Sequence, residues 1–270
     1  MPERLDEYWA RVAPGLDRII AQGTNGAVED LLHHTIAFMA FTVENLPNRA
    51  TQNQELLGTL DALDILAFDA LRSAEVAQRV LSLAGTALAT RLIFEACCTM
   101  RFITESGVDA ANYARRYARW MHVETLEHHR QTEQTLPWDE LIAHATEAAE
   151  WLEEDSFRVR RNAHWANNPR YANLFVIAEH LGLQEDYRRI YSAGSAFTHA
   201  TSTASRLYRH GQHLRHVADP KHSSRLSILA ASLALKLHRA FLDFHGVAYE
   251  ANDLAALMAR ILAAAQTVGA

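Results

Sequence analysis

Cysteine is nearly missing from this 270-residue chain: there are two, Cys97 and Cys98, adjacent within an apolar helical pattern. Neither a disulfide framework nor a zinc site can be assembled from such a pair alone, so both read as buried, reduced thiols. Glycine (11) and proline (6) are sparse, and nowhere do Val, Ile or Thr alternate with polar residues for long enough to make a strand. An excess of positive charge is missing too. The formal net charge is -6 and the pI is near 6.2, so a polyanion would have to be held by a local basic patch. The opening residues MPERLDEYWARV lack the apolar core of a secretory signal, and a cytosolic chain is expected. The apolar stretches TIAFMAFTV and SILAASLALKL fall well short of the roughly 20 residues of a membrane-spanning helix, so no membrane partner is expected.

What is present is helical periodicity. Hydrophobic residues make up 49% of the chain and charged residues 21%, with apolar positions recurring at spacings of three and four almost throughout. The fold class is therefore all-α, a multi-helix bundle with a central apolar helix and an N-terminal helical pair. The first helix is expected from Pro2 to the GTNG turn and the second over about 27–45, ended by Pro47. A third follows through LLGTLDALDILAFDALRSA, and the central helix is expected over about 74–105. Further helices are expected at 109–134 and 138–160, then a short one through RYANLFVIAEHLGL, one around 187–199, and two at 221–246 and 249–264. No internal repeat or long linker appears. Residues 1–45 are read as the helical pair packed on a main body, 46–270, that forms one continuous domain.

Two segments carry chemistry. On the central helix the row Ala84, Leu88, Arg91, Glu95, Cys98, Phe102 sets a guanidinium and a carboxylate one turn apart on an otherwise apolar stripe. Buried charges cost several kcal/mol each unless paired and hydrogen-bonded, so Arg91 and Glu95 call for polar neighbours. The stretch YRRIYSAGSAFTHAT supplies a column of them at every fourth position: Tyr187, Tyr191, Ser195 and His199. Ala193, Gly194 and Ala196 are small enough to admit another helix closely. If the two rows meet, Arg91, Tyr187, Tyr191 and Ser195 bind a ligand, while Glu95 and His199 move protons.

The segments RLIFEACCTMRFI, with Arg91 and Glu95 as R-x-x-x-E, HWA around Trp165, and YRRIYSAGSAFTHA follow one another in an order that resembles an uncharacterised all-helical bacterial family, a domain of unknown function. The likeness extends over about 60–245 and implies a shared architecture and a polar cluster. It brings no reaction with it.

The function expected is binding of a small polar or anionic molecule in an interhelical polar pocket, with no cofactor and no metal assigned and with homodimerisation as a further expectation. Other readings compete. Arginines interleaved with aromatics in YARRYARW, and the basic stretch RLYRHGQHLRHVADPKHSSR, are features of a nucleic-acid binder. Arg116 with His122, and Arg239 with His245, loosely match the spacing of helical ribonucleases of toxin and defence systems. The plain account of the basic stretches is amphipathic helix with its arginines in water. The 15 histidines invite a metal-dependent bundle enzyme through Asp30 with His34, Glu124 with His128 and Glu140 with His144, although a full set of inward Glu-x-x-His motifs is absent. A non-catalytic scaffold with a structural polar network is the remaining alternative.

Overall fold

The computed structural model describes residues 14, 18, 23–44, 46, 53–132, 136–149, 151, 164–166, 173–198, 209–210, 213–214, 219–247 and 251–269. Among these the chain is all-α. Its helices are α1 (Gly26–Glu44), α2 (Gln54–Arg79), α3 (Leu83–Glu105), α4 (Ala110–Thr132), α5 (Trp138–Glu147), α6 (Leu174–His180), α7 (Gln184–Thr198), α8 (Pro220–His245) and α9 (Ala251–Gly269). A single 3-10 turn, Gly107–Asp109, leads into α4. The helix expected from Pro2 falls almost wholly outside the described residues.

The break before the central helix lies later than the sequence spacing predicts. Helix α2 runs on to Arg79, and the chain turns at 80–82. Leu81 takes a positive φ of 53°, Ser82 N donates to Ala77 O at 2.7 Å and Leu81 N to Gln78 O at 3.1 Å. These bonds satisfy the last carbonyls of α2 in the pattern that glycine usually serves. Leucine occupies the position because its side chain is buried, up against Gly23. Ser82 then caps α3 by accepting from Gly85 N at 3.2 Å.

Helix α3 is the central apolar helix. Its Ile93, Phe94 and Cys97 have no exposed surface, and both cysteines are free and buried. Its length and composition alone would allow it to cross a membrane, but 67% of its apolar window is buried within the protein. Of the helix expected over 138–160, α5 ends at Glu147 and Ala148 and Trp151 are buried, while residues 150 and 152–160 lie outside the described residues.

Two compact units divide the described residues. The first comprises those within 1–47, 64–97 and 186–270. In it α1 lays its stripe Val28, Leu31, Leu32, Thr35, Met39 and Thr42 against α8 and α9. Asp30 pairs with Arg260 of α9, and Asn25 Nδ2 donates to Thr267 Oγ1 at 3.2 Å. Helix α8 begins with Asp219 accepting from Lys221 N and ends at Gly246, whose φ of 62° closes the last turn.

Its interior carries two polar networks. His238 faces Asp64 Oδ1 through Nδ1 at 2.8 Å and Thr42 Oγ1 through Nε2 at 2.5 Å, with all three residues buried. Gln78 is the hub of the other: Oε1 accepts from Ser223 and Ser227 at 2.9 and 3.0 Å, and Nε2 donates to Ser224 at 3.1 Å. Ser223 and Ser224, part of the basic stretch in the sequence, are core residues.

The second unit comprises described residues within 48–63 and 98–185. There α4 packs on α5, and Trp151 closes a cluster with Val123, Leu126 and Ala148. Phe102, Tyr113, Tyr117 and Trp165 meet edge to face, with ring centres 4.8–5.7 Å apart.

Candidate functional site

Arg91 and Glu95 stand one turn apart on α3, and α7 brings Tyr187 and Tyr191 to them within the first unit. Arg91 Nε donates to Glu95 Oε1 at 2.9 Å, and Tyr191 Oη donates to the same oxygen at 2.6 Å. The guanidinium carbon lies 4.5 Å from the centre of the Tyr191 ring. Tyr191 is stacked on Tyr187 with ring centres 4.3 Å apart, and Tyr187 meets Phe94 of α3 edge to face at 6.1 Å. Gly194, one turn along α7, makes this approach possible: a β-carbon there would sit 3.1 Å from Arg91 Cδ.

The side chains of Arg91 and Glu95 are 27% and 36% exposed. An exposed i,i+4 pair of this kind contributes only about 0.3–0.5 kcal/mol. The phenol adds a charge-assisted hydrogen bond, roughly twice as strong as a neutral one, and the ring face adds a cation–π contact. Burial, together with donation to Glu95, raises the Tyr191 pKa well above the ordinary phenol value, so it remains a donor across the physiological range. For Arg91, burial works against the charge, but the Glu95 bond and the neighbouring Tyr191 outweigh it and raise its pKa further.

Four of the six expected site residues, Arg91, Glu95, Tyr187 and Tyr191, thus form one contact group. Ser195 lies on α7 one turn past Tyr191; its side chain and the whole of His199 lie outside the described residues. The row that carries Arg91 is less enclosed than its spacing implies, because Leu88 is exposed while Cys98 and Phe102 are buried. The row holds one bearing along α3, but the cover over it does not extend to the N-terminal end.

The other sequence signals resolve differently. In YARRYARW, Arg115 donates to Asn112 at 2.8 Å, Arg116 to the Trp165 carbonyl at 3.1 Å, and Arg119 faces Glu147 at 3.4 Å. His122 turns to His144, Nδ1 to Nδ1 at 2.9 Å, and burial, then His144, lowers the His122 pKa. Arg239 faces Asp243 at 3.5 Å, and His245 is buried against Phe241. Within the basic stretch, Arg209–His210 pairs antiparallel with His213–Leu214, where the plain expectation is amphipathic helix. Asp30, read beside His34, also pairs with Arg260. Among the described residues no group of three or more His, Cys, Asp or Glu is placed to hold a metal.

Sequence reasoning missed the enclosed His238–Asp64–Thr42 array. Its only signal is a lone Asp and a lone His at apolar helix positions, a pattern Asp61 shares without being buried.

His164, in the tryptophan segment, is a pH-dependent element. It accepts from Ala166 N at 3.3 Å, and burial pulls its pKa down to about 4 from an ordinary 6.5. The folded state then binds fewer protons than the unfolded one, so the His164 contribution is intact above pH 6.5 and is lost as the pH falls toward 4. His164→Gln is expected to flatten the decline in melting temperature over that window, and parallel curves for variant and wild type would contradict it.

An all-helical chain in which an R-x-x-x-E helix is met by a tyrosine-bearing helix is the class that fold and cluster define. A model of a family of unknown function (DUF5677) matches residues 76–214, about half of the chain, and the chain belongs to that family. The matched span includes α3 and α7 and is narrower than the 60–245 of the sequence likeness. No curated protein and no solved structure matches the chain.

Proposed function

We propose that the Arg91–Glu95–Tyr191 cluster binds a small polar or anionic molecule, with the Arg91 guanidinium as its anchor. The observation that carries this reading is that Arg91 is fixed by a carboxylate, a ring face and the gap at Gly194, yet remains 27% exposed. A guanidinium held in one posture before a ligand arrives loses little entropy on binding, and donors on its terminal nitrogens suit a carboxylate or phosphate edge. Glu95 takes both bonds through Oε1, and its Oε2 has no hydrogen bond from a described residue. On this reading Glu95 and His199 are the proton-moving pair, and Tyr187, Tyr191 and Ser195 orient the ligand.

The test is a thermal melt against phosphate, sulfate and short mono- and dicarboxylates. A ligand at a hundred times its Kd stabilises a one-site protein by about 2.7 kcal/mol. At least one anion is expected to raise the melting temperature of the wild type but not of a folded Arg91→Gln variant. If no anion moves the wild type and Arg91→Gln merely unfolds, the cluster is a clamp between α3 and α7.

A further inference from the structure

The second unit holds an open groove unrelated to the Arg91 cluster. Its volume is about 430 Å³, and its walls are the start of α2, with Glu55, Gly58, Thr59 and Ala62, and one face of α4, with Tyr117, Ala118, Trp120, Met121 and Glu124. This is within the size range of small-molecule sites, and its walls are mostly apolar. Trp120 is braced from behind by Trp151, with ring centres 5.6 Å apart, and Tyr117 by Trp165 at 5.3 Å. Both rings therefore belong to fixed aromatic layers.

Charge decides the occupant. Among the described residues of the wall, the only ionisable groups besides the Tyr117 phenol are two carboxylates, Glu55 and Glu124. Neither has an ion-pair partner among the described residues. The arginines that flank these aromatics in the sequence are directed elsewhere, Arg116 to the Trp165 carbonyl and Arg119 toward Glu147. The face that YARRYARW offers the groove is thus aromatic and acidic, the wrong sign for a nucleic-acid backbone. Indole and phenol faces attract a cation, a methionine thioether accommodates its alkyl groups, and two carboxylates balance its charge. Gly58, Ala62 and Ala118 leave room for it.

We infer that this groove is a binding site for a small organic ammonium ion. The site takes a compact alkylammonium whose charged end lies near Glu55 and Glu124 and whose methyl or methylene groups lie on Tyr117 and Trp120.

The probe is choline, compared by ligand-detected NMR titration of the full chain with its uncharged isostere 3,3-dimethylbutan-1-ol. Choline is expected to show saturable transfer, with the isostere weaker by about tenfold or more because it lacks the charge. Glu55→Gln/Glu124→Gln, at exposed positions where folding is unaffected, is expected to weaken choline about fivefold or more and to leave the isostere unchanged. Equal affinity of the two probes, indifference of the double variant, or no saturable choline signal would each overturn the assignment. Tighter binding of inorganic phosphate than of choline at the same residues would overturn it as well.

Discussion

Exchanging His238 for alanine is expected to lower the stability of the protein by about 3–5 kcal/mol, because it strands a buried carboxylate. Asp64 and His238 are 3% and 0% exposed at the side chain, and the imidazole Nδ1 is 2.8 Å from the carboxylate. The ring also fills space between Phe38 and Phe241, with centres 5.8 and 5.7 Å away. Asp64→Ala leaves a ring nitrogen without its partner, which costs less, about 1–3 kcal/mol. The double variant is expected to lose less than the sum of the two, since removing the carboxylate removes the stranded charge. Urea unfolding followed by far-ultraviolet circular dichroism measures all three. A loss below about 1 kcal/mol for His238→Ala would show that water or a rearranged donor reaches Asp64.

Trp151→Ala is the matching change in the second unit, with an expected loss of about 3–5 kcal/mol. The indole is fully buried, packs on Val123, Leu126 and Ala148, stacks edge to face on Trp120, and lies beneath the Arg116 guanidinium at 5.5 Å. Its Nε1 is buried and makes no hydrogen bond to a described residue. Trp151→Phe keeps a ring for the tryptophan and the arginine and gives up no hydrogen bond, so it is expected to be much milder, about 1–2 kcal/mol. Hydrogen exchange localises the effect: amides of α4 and α5 are expected to exchange faster in Trp151→Ala. Equal losses for the alanine and phenylalanine variants would refute the packing account.

Much of this architecture is legible in the chain. Periodicity alone gives the all-α class, and α3 is legible as the central helix because RLIFEACCTMRFI is apolar on most sides. Charges on an apolar stripe and small residues beside a polar column are legible as two separate local facts; that the rows of Arg91 and Tyr191 meet is known only from the fold. Less legible is what depends on distant cover. Leu81 ends a helix without glycine because its side chain is buried, and no local propensity records that burial. Ser223 and Ser224 read as part of a basic surface until Gln78 is seen to receive them. Arg116 and Arg119 read as free cations until the Trp165 carbonyl and Glu147 are in place.

The turn at Leu81 has a consequence for how this chain can vary. A β-carbon added at Gly23 would come within 2.5 Å of Leu81 Cδ1 and 2.9 Å of Pro220 Cγ, so positions 23 and 81 compete for one volume. Among relatives, a bulkier residue at 23 should coincide with a slimmer one at 81, and the pair should drift as a unit. Gly23→Ala alone is disfavoured on steric grounds; shortening Leu81 in the same molecule relieves the nearer of the two contacts, and the Pro220 ring must still give way.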